Sequence, residues 1–353
     1  MTAADWIRPE IAELSAYRVA DATGLIKLDA MENPYPLPEG LRAELGQRLA
    51  AAALNRYPDP HGGGLKEALR TAFRIPAAAD ILLGNGSDEL ITLVCQALAR
   101  PGACLLAAEP SFVMYRMNAV FSRLEYVGVP LRPDFSLDLP AMLAAIAQHR
   151  PAVVFVAYPN NPTGPRYARA EVEAILDAAP GLVVVDEAYS AFADDSLMDM
   201  AGSHPRLLVL RTLSKLGLAG IRLGYAAGPA DWMAQLDKVR PPYNINVLSQ
   251  VAAAFALAHL AEFDAQTAIL RRERARLALA LAALPGVTVF PSEANFLLLR
   301  VADAEGTFAK LRNAGILIKN LHGAHPLLLN CLRVTVGTPQ ENERVLSVLP
   351  TCL

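Results

Sequence analysis

The chain has 353 residues, with 32 lysines and arginines against 35 aspartates and glutamates and a formal charge of −3; this balance gives no electrostatic case for a nucleic-acid or acidic-membrane partner and points to small ligands. Apolar residues make up 53%, much of it alanine, and no uninterrupted apolar run is long enough to cross a bilayer. A chain of this length implies a large unit and a smaller one, each burying its own core.

The first segment, "MTAADWIRPEIAEL", carries acids early and has no basic stretch followed by an apolar one. It does not read as a secretory signal, and the cytoplasm is the expected compartment. The run "LLGNGSDELITLVCQAL" (82–98) is a glycine-rich turn opening a helix. Such a start offers free backbone N–H groups and a positive dipole end to a phosphate, and equally it is an ordinary cap with Ser87, Asp88 and Glu89 as first-turn residues.

From about residue 103 to 229, short apolar runs alternate with helical patterns, the signature of a parallel sheet covered by helices, and hence of an α/β fold. The runs "AVVFVAY" (152–158), "LVVVDEAY" (182–189), "LLVLRTLS" (207–214) and "RLGYAAG" (222–228) have the two-sided hydrophobicity of buried strands. Between the first two, "ARAEVEAILDAA" reads as an amphipathic helix. After "RPPYNIN" (240–246) a helical Ala/Leu/Arg-rich stretch runs to about Leu284, followed by short strands in "VTVF", "NFLLLRV", "ILIKN" and "LRVTVGT". A last helix is announced by Thr338-Pro339-Gln340-Glu341, with Thr as N-cap, Pro at the first helical position and Glu at N3. The expected division is a large domain over 36–240 and a smaller α+β domain from 1–35 and 241–353. Cys95, Cys104, Cys331 and Cys352 show neither CxxC pairing nor histidines at ligand spacing, so neither zinc nor disulfides are expected. His61, His322 and His325 also lack ligand spacing and read as surface or loop residues.

Several features sit at strand ends or in the loops that follow, where open α/β sheets hold ligands. "YPNNPTG" (158–164) leaves a strand through prolines and asparagines and is also a plain turn by composition. Asp186 ends a strand after three valines, where a carboxylate is costly unless something cationic faces it. Lys215, in "RTLSKLGLAGIRLG" (211–224), is a lone ammonium among small and apolar residues with Thr212, Ser214 and Arg222 close by. In isolation it would snorkel to water. Together, a phosphate cradle, an arginine, hydroxyls, a strand-end carboxylate and a lysine form a set that binds pyridoxal phosphate. The amine condenses with the aldehyde, the carboxylate keeps the ring nitrogen protonated and the cradle holds the phosphate.

The motifs "NPY" (33–35), "RYPDPHGGGLKEALR" (56–70), "GNGSDE" (84–89), "EPSFVMY" (109–115), "YPNNPTG", "VDEAY", "TLSKLGLAGIRLGY" and "LRVTVGT" (332–338) resemble, in order and over nearly the whole chain, the fold-type I pyridoxal-phosphate aminotransferases. Within them the series looks most like the histidinol-phosphate aminotransferase branch. The resemblance implies a large, mostly parallel sheet between helices plus a smaller α+β domain, with Lys215, Asp186 and Tyr189 as the catalytic group. It implies that Lys215 carries the cofactor, Asp186 pairs with the pyridine nitrogen, and Asn161 and Tyr189 bond the ring's 3′-oxygen. Arg222, Thr212 and Ser214, with backbone N–H groups of Gly86, Ser87 and Asp88, would hold the phosphate. Phe112 stands where relatives carry a stacking tyrosine. Tyr57 would reach the site of a second subunit, implying a homodimer with shared active sites. Arg333 would clamp the substrate anion, with Asn33 and Lys319 also at the substrate; Lys319 reads equally as an exposed strand-end lysine.

The implied reaction takes an amino group from L-glutamate, leaving 2-oxoglutarate, and gives it to imidazole-acetol phosphate, which leaves as L-histidinol phosphate. One clamp must then accept a phosphate ester or an α-carboxylate, and the arginine fork suits both. The rival readings are a threonine-phosphate decarboxylase-like enzyme, an aromatic or aspartate aminotransferase, and a regulatory module that binds the cofactor beside a DNA-binding domain. The last is disfavoured by the lack of a basic helix-turn-helix pattern.

Overall fold

Seven strands form the central sheet of the computed structural model, in the spatial order Asp80–Asn85, Leu223–Gly228, Leu207–Thr212, Leu182–Asp186, Val153–Ala157, Cys104–Glu109 and Glu125–Pro130. The structure describes residues 2, 5–16 and 19–353; residues 1, 3, 4, 17 and 18, within the segment assigned to the smaller domain, lie outside the described residues. Val153–Ala157 and Leu182–Asp186 are buried at every position, because helices cover both sheet faces and two apolar clusters fill the layers. The helix Arg169–Ala178 lies where its pattern places it, with Val172, Ile175 and Leu176 turned inward.

The strands from Cys104 to Thr212 run parallel. Leu223–Gly228, expected among them, instead runs antiparallel to both of its neighbours. Only residues 213–222 separate it from Leu207–Thr212, too short a connection for the crossover a parallel pair requires. Hydrophobic patterning reports burial and carries no information on direction.

The second sheet is antiparallel, in the order Lys319–Asn320, Cys331–Thr335, Phe296–Arg300, Thr288–Val289. Ile26–Lys27 pairs in parallel with Ile316–Leu317, and Leu28 joins Leu297, Leu332 and Val345 in this unit's core. The last helix, Pro339–Val348, carries the expected capping box: Glu341 N donates to Thr338 Oγ1 (3.2 Å) and Thr338 N donates to the Glu341 carboxylate (2.8 Å).

The long helical stretch is two helices, Val247–Ala258 and Leu260–Ala282, bent by 76° at their junction. Ala253, Ala256 and Leu257 of the first pack with Leu65 and Leu69 in the core of the large sheet, whereas Leu277 and Leu281 of the second belong to the small core. The change of core thus falls within Leu260–Ala282, and an alanine-rich helix shows no sequence mark of which sheet it covers. Among the described residues no single helix is long and apolar enough to cross a membrane.

Candidate active site

Asp186 closes a strand whose other positions are wholly apolar, and its carboxylate opens at the strands' C-terminal edge, 5% exposed. Two neutral donors fix it: the Tyr115 hydroxyl reaches Oδ2 at 2.8 Å and the Ala188 N–H reaches Oδ1 at 3.1 Å. Burial outweighs those bonds and pushes the carboxyl up to about 6. Tyr115 stacks on Phe155 at 4.7 Å and meets Phe112 edge-on at 5.7 Å. Sequence reasoning passed over Tyr115, since an aromatic at a helical spacing reads as core; the "EPSFVMY" motif was the available signal.

Lys215 lies on the excursion between Leu207–Thr212 and Leu223–Gly228. Ser214–Leu218 forms one wide turn, closed by Leu218 N donating to Leu213 O and kinked out of helical geometry at Gly217, φ 136. Wide turns of this kind concentrate at functional sites. The ammonium donates to Ala30 O at 3.1 Å and stands 5.9 Å from the Tyr189 ring centroid. Burial, reinforced by the Arg333 charge, lowers it to about 8.

Opposite Lys215, the helix Ser87–Leu98 begins at Gly86 with φ 79. A Cβ on Gly86 would stand 2.6 Å from Arg222 Nη2, and one on Gly224 would stand 2.5 Å from Ser87 N. Glycine at both places therefore lets bare backbone, a strand and an arginine close around one point. Arg222 pairs with Asp88 at 3.1 Å and approaches Ser214 Oγ at 3.4 Å, while Thr212 Oγ1 donates to Ser214 Oγ at 3.0 Å. Ser87, Asp88, Thr212, Ser214 and Arg222 line one cleft with Phe112, Asn161, Asp186, Tyr189 and Lys215.

Arg333, on the small sheet, is 7% exposed. It donates from Nη1 to Asn161 Oδ1 and from Nη2 to Asp29 O (3.0 Å), and its guanidinium lies 5.2 Å from the Phe296 ring centroid. Lys319 is its directly opposed partner on the next strand, so both side chains leave the same sheet face. Both line an adjoining cleft that shares Phe112 and Asn161 with the first.

Asn33 and Tyr57 line neither of these two clefts. Asn33 spends its side chain on the protein: Nδ2 donates to Leu216 O and Gln266 Oε1, and Oδ1 accepts from Tyr35 N, each at 2.9 Å. Through Leu216 it braces the Lys215 turn. Tyr57 is 81% exposed and stacked on Tyr243 at 4.4 Å, outside the cleft of its own chain.

These residues fit pyridoxal phosphate. A helix start entered through Gly86 with Arg222 beside it suits the phosphate, a lysine lowered toward neutrality suits the aldehyde, and a buried carboxylate held only by neutral donors suits a ring cation.

Residues 23–349 match the family described as aminotransferase class I and II. Over 349 residues the chain is 68% identical to the histidinol-phosphate aminotransferase of Chromobacterium violaceum, covering 99% of this chain and 98% of the relative. The solved structure of histidinol-phosphate aminotransferase from Sinorhizobium meliloti, in complex with pyridoxal-5′-phosphate, shares the fold at TM-score 0.87 and 24% identity, covering 98% and 97% of the two chains. The L-threonine-O-3-phosphate decarboxylase of Porphyromonas gingivalis shares it at TM-score 0.77 and 25% identity, covering 93% and 99%, so the fold alone is common to both chemistries. By the length of the family match and the identity of the bacterial relative, the chain belongs to the class I and II aminotransferases, a pyridoxal-phosphate-dependent family, and within it to the histidinol-phosphate aminotransferases.

Proposed function

We propose that the protein transfers an amino group between L-glutamate and imidazole-acetol phosphate, yielding 2-oxoglutarate and L-histidinol phosphate, in the cytoplasmic synthesis of histidine. The observation that carries this reading is the meeting of Lys215, Asp186 and a buried Arg333 around one pair of adjoining clefts. When bound, pyridoxal phosphate supplies an aldehyde that condenses with amines and a ring that withdraws electrons from the substrate α-carbon.

The chain's own residues do the rest. Lys215, lowered to about 8, has a substantial neutral fraction at mildly alkaline pH and moves the proton at the substrate α-carbon. Asp186, aimed by Tyr115 and Ala188, pairs with the ring nitrogen. Asn161, Tyr189 and Phe112 line the same cleft; the first two would hold the ring's 3′-oxygen and the third would wall the ring. Thr212, Ser214, Arg222 and the start of the Ser87–Leu98 helix hold the phosphate.

Arg333 takes the substrate anion, either a phosphate ester or an α-carboxylate, and Lys319 adds a second cation on the same sheet face. Tyr57, outward-facing on its Tyr243 platform, reaches the cleft of a second copy, so the working unit is a homodimer with shared sites.

The test follows the cofactor's absorbance in single turnovers with histidinol phosphate, histidinol and threonine phosphate. Removing the phosphate takes away a charge-assisted contact with Arg333 and forfeits roughly 1.5–3 kcal/mol, about ten- to a hundredfold in rate constant over dissociation constant. Equal reaction of histidinol, or faster release of carbon dioxide from threonine phosphate, overturns the assignment.

A further inference from the structure

We propose that Arg166 and Glu293 form a positioning pair that keeps the substrate clamp Arg333 in register with Asn161. The proposal rests on the reading of Arg333 as the anion clamp given above.

The loop from Tyr158 to Arg166 follows the strand Val153–Ala157 and is stiff at its centre. The buried Asn160 donates to Pro110 O at 2.9 Å and to Thr163 Oγ1 at 2.7 Å, and accepts from Ser111 Oγ at 2.8 Å. Its two ends then touch the small sheet's unit at separate points. At one, Asn161 Oδ1 accepts from Arg333 Nη1. At the other, Arg166 Nε donates to Glu293 Oε2 at 2.9 Å, while Glu293 N donates to Gly164 O at 2.9 Å. Gly164, at φ +99, allows this approach: a Cβ there would lie 2.8 Å from Ser292 Cβ.

The guanidinium of Arg166 is held from behind as well, by the Tyr158 hydroxyl at 2.9 Å and Asp195 at 3.2 Å. It is therefore fixed to the large unit and offers Nε to the small one. The pair is only partly exposed, 22% for Arg166 and 29% for Glu293, which makes it stronger than an open surface pair.

From Glu293 the chain leads directly to the clamp. Two residues on, Asn295 donates to Met31 O at 2.9 Å and its carbonyl accepts from Val336 N. The chain then enters Phe296–Arg300, where Leu298 pairs with Arg333 and the Phe296 ring lies beneath the guanidinium. A shift of Glu293 is thereby passed to both the strand beside Arg333 and the ring under it. The Arg333 fork holds its anion equally in the bound substrate and at the moment of reaction, so a displaced guanidinium weakens binding and leaves the chemical step little changed.

The test uses the holoenzyme with Glu293→Gln, Arg166→Gln and the double variant. KM for histidinol phosphate and for glutamate rises roughly five- to tenfold in each single variant, with kcat within about twofold. The Kd of inorganic phosphate, measured by calorimetry on the holoenzyme, weakens by a similar factor, and the double variant is no worse than the poorer single one. Glu293→Asp, which keeps the charge, recovers part of the loss. Histidinol, which offers Arg333 no anion, keeps its kcat/KM. An unchanged KM and phosphate Kd overturns the proposal, as does an equal loss with histidinol, which would mark a general structural defect. Should wild-type enzyme use glutamate and ignore histidinol phosphate, the substrate assignment falls, and the glutamate KM and phosphate Kd still decide the role of the pair.

Discussion

Replacing Asp186 with asparagine should stabilise the cofactor-free protein while removing its activity. In the folded chain the carboxyl is raised from 3.8 to about 6, so the native state holds the proton more tightly than the unfolded one. Well below the unfolded value of 3.8 both states are protonated and the group costs nothing. As pH rises through the interval between the two values the unfolded state ionises first, and the native state progressively loses stability, by about 3 kcal/mol once both states are ionised. Asparagine removes that charge and keeps both contacts, because the Tyr115 hydroxyl turns to accept from the new amide and Ala188 N still donates to Oδ1. At pH 8 the gain corresponds to about 4 °C in Tm for a chain of this length, taking the usual unfolding entropy per residue. Urea unfolding of cofactor-free wild type and variant between pH 4 and 8 should show a gap that widens through pH 6 and then levels. Added pyridoxal phosphate should stabilise the wild type more than the variant, and amino transfer by the variant should fall roughly a hundred- to a thousandfold. A gap that is flat with pH, or a wild type more stable than the variant at pH 8, would refute the view that Asp186 is held at the end of its strand at the expense of stability.

Tyr115→Phe removes the hydroxyl bond that favours the Asp186 carboxylate, so the acid limb of the half-reaction's pH profile should move to higher pH, with the alkaline limb unmoved. Gly86→Ala forces a Cβ against Arg222 at a left-handed φ; pyridoxal-phosphate affinity, read by fluorescence titration, should drop by about tenfold or more, and retained affinity would show that the cradle lies elsewhere. Mixing Tyr57→Phe with Lys215→Ala subunits should produce hybrid dimers with one doubly defective and one intact site, so activity should exceed that of either parent; hybrids without such recovery would sink the shared site.

Asp186 stands out in the sequence as a carboxylate ending a run of valines, which violates a burial rule, whereas Lys215, which alone reads as a snorkelling lysine, stands out only in the company of Thr212, Ser214, Arg222 and Asp186. The Thr338 capping box was equally plain, since it depends on four consecutive residues. Tyr115 was hidden because its ring obeys the apolar pattern while only its hydroxyl reaches the site. The reversed direction of Leu223–Gly228 and the allegiance of Val247–Ala258 to the large core depend on partners distant in the chain, about which local periodicity says nothing. Asn33 and Glu293 illustrate the same limit at single residues: their importance comes from Leu216 and Arg166, which no spacing rule connects to them.

The grip of the chain's early and late segments on each other has a consequence for synthesis on the ribosome. Leu28 O accepts from Thr335 N, Met31 N donates to Thr335 Oγ1, and Arg333 reaches Asp29 O, contacts that span about three hundred residues. The seven-stranded sheet, with the lysine and the phosphate cradle, is fully translated by Gly228, whereas the segment around Ala30 that holds the Lys215 ammonium waits for the strand Cys331–Thr335 to leave the exit tunnel. A nascent chain can therefore complete the seven-stranded sheet long before Arg333 meets Asp29 O, and the segment around Ala30 settles beside Lys215 only once the strand Cys331–Thr335 has emerged.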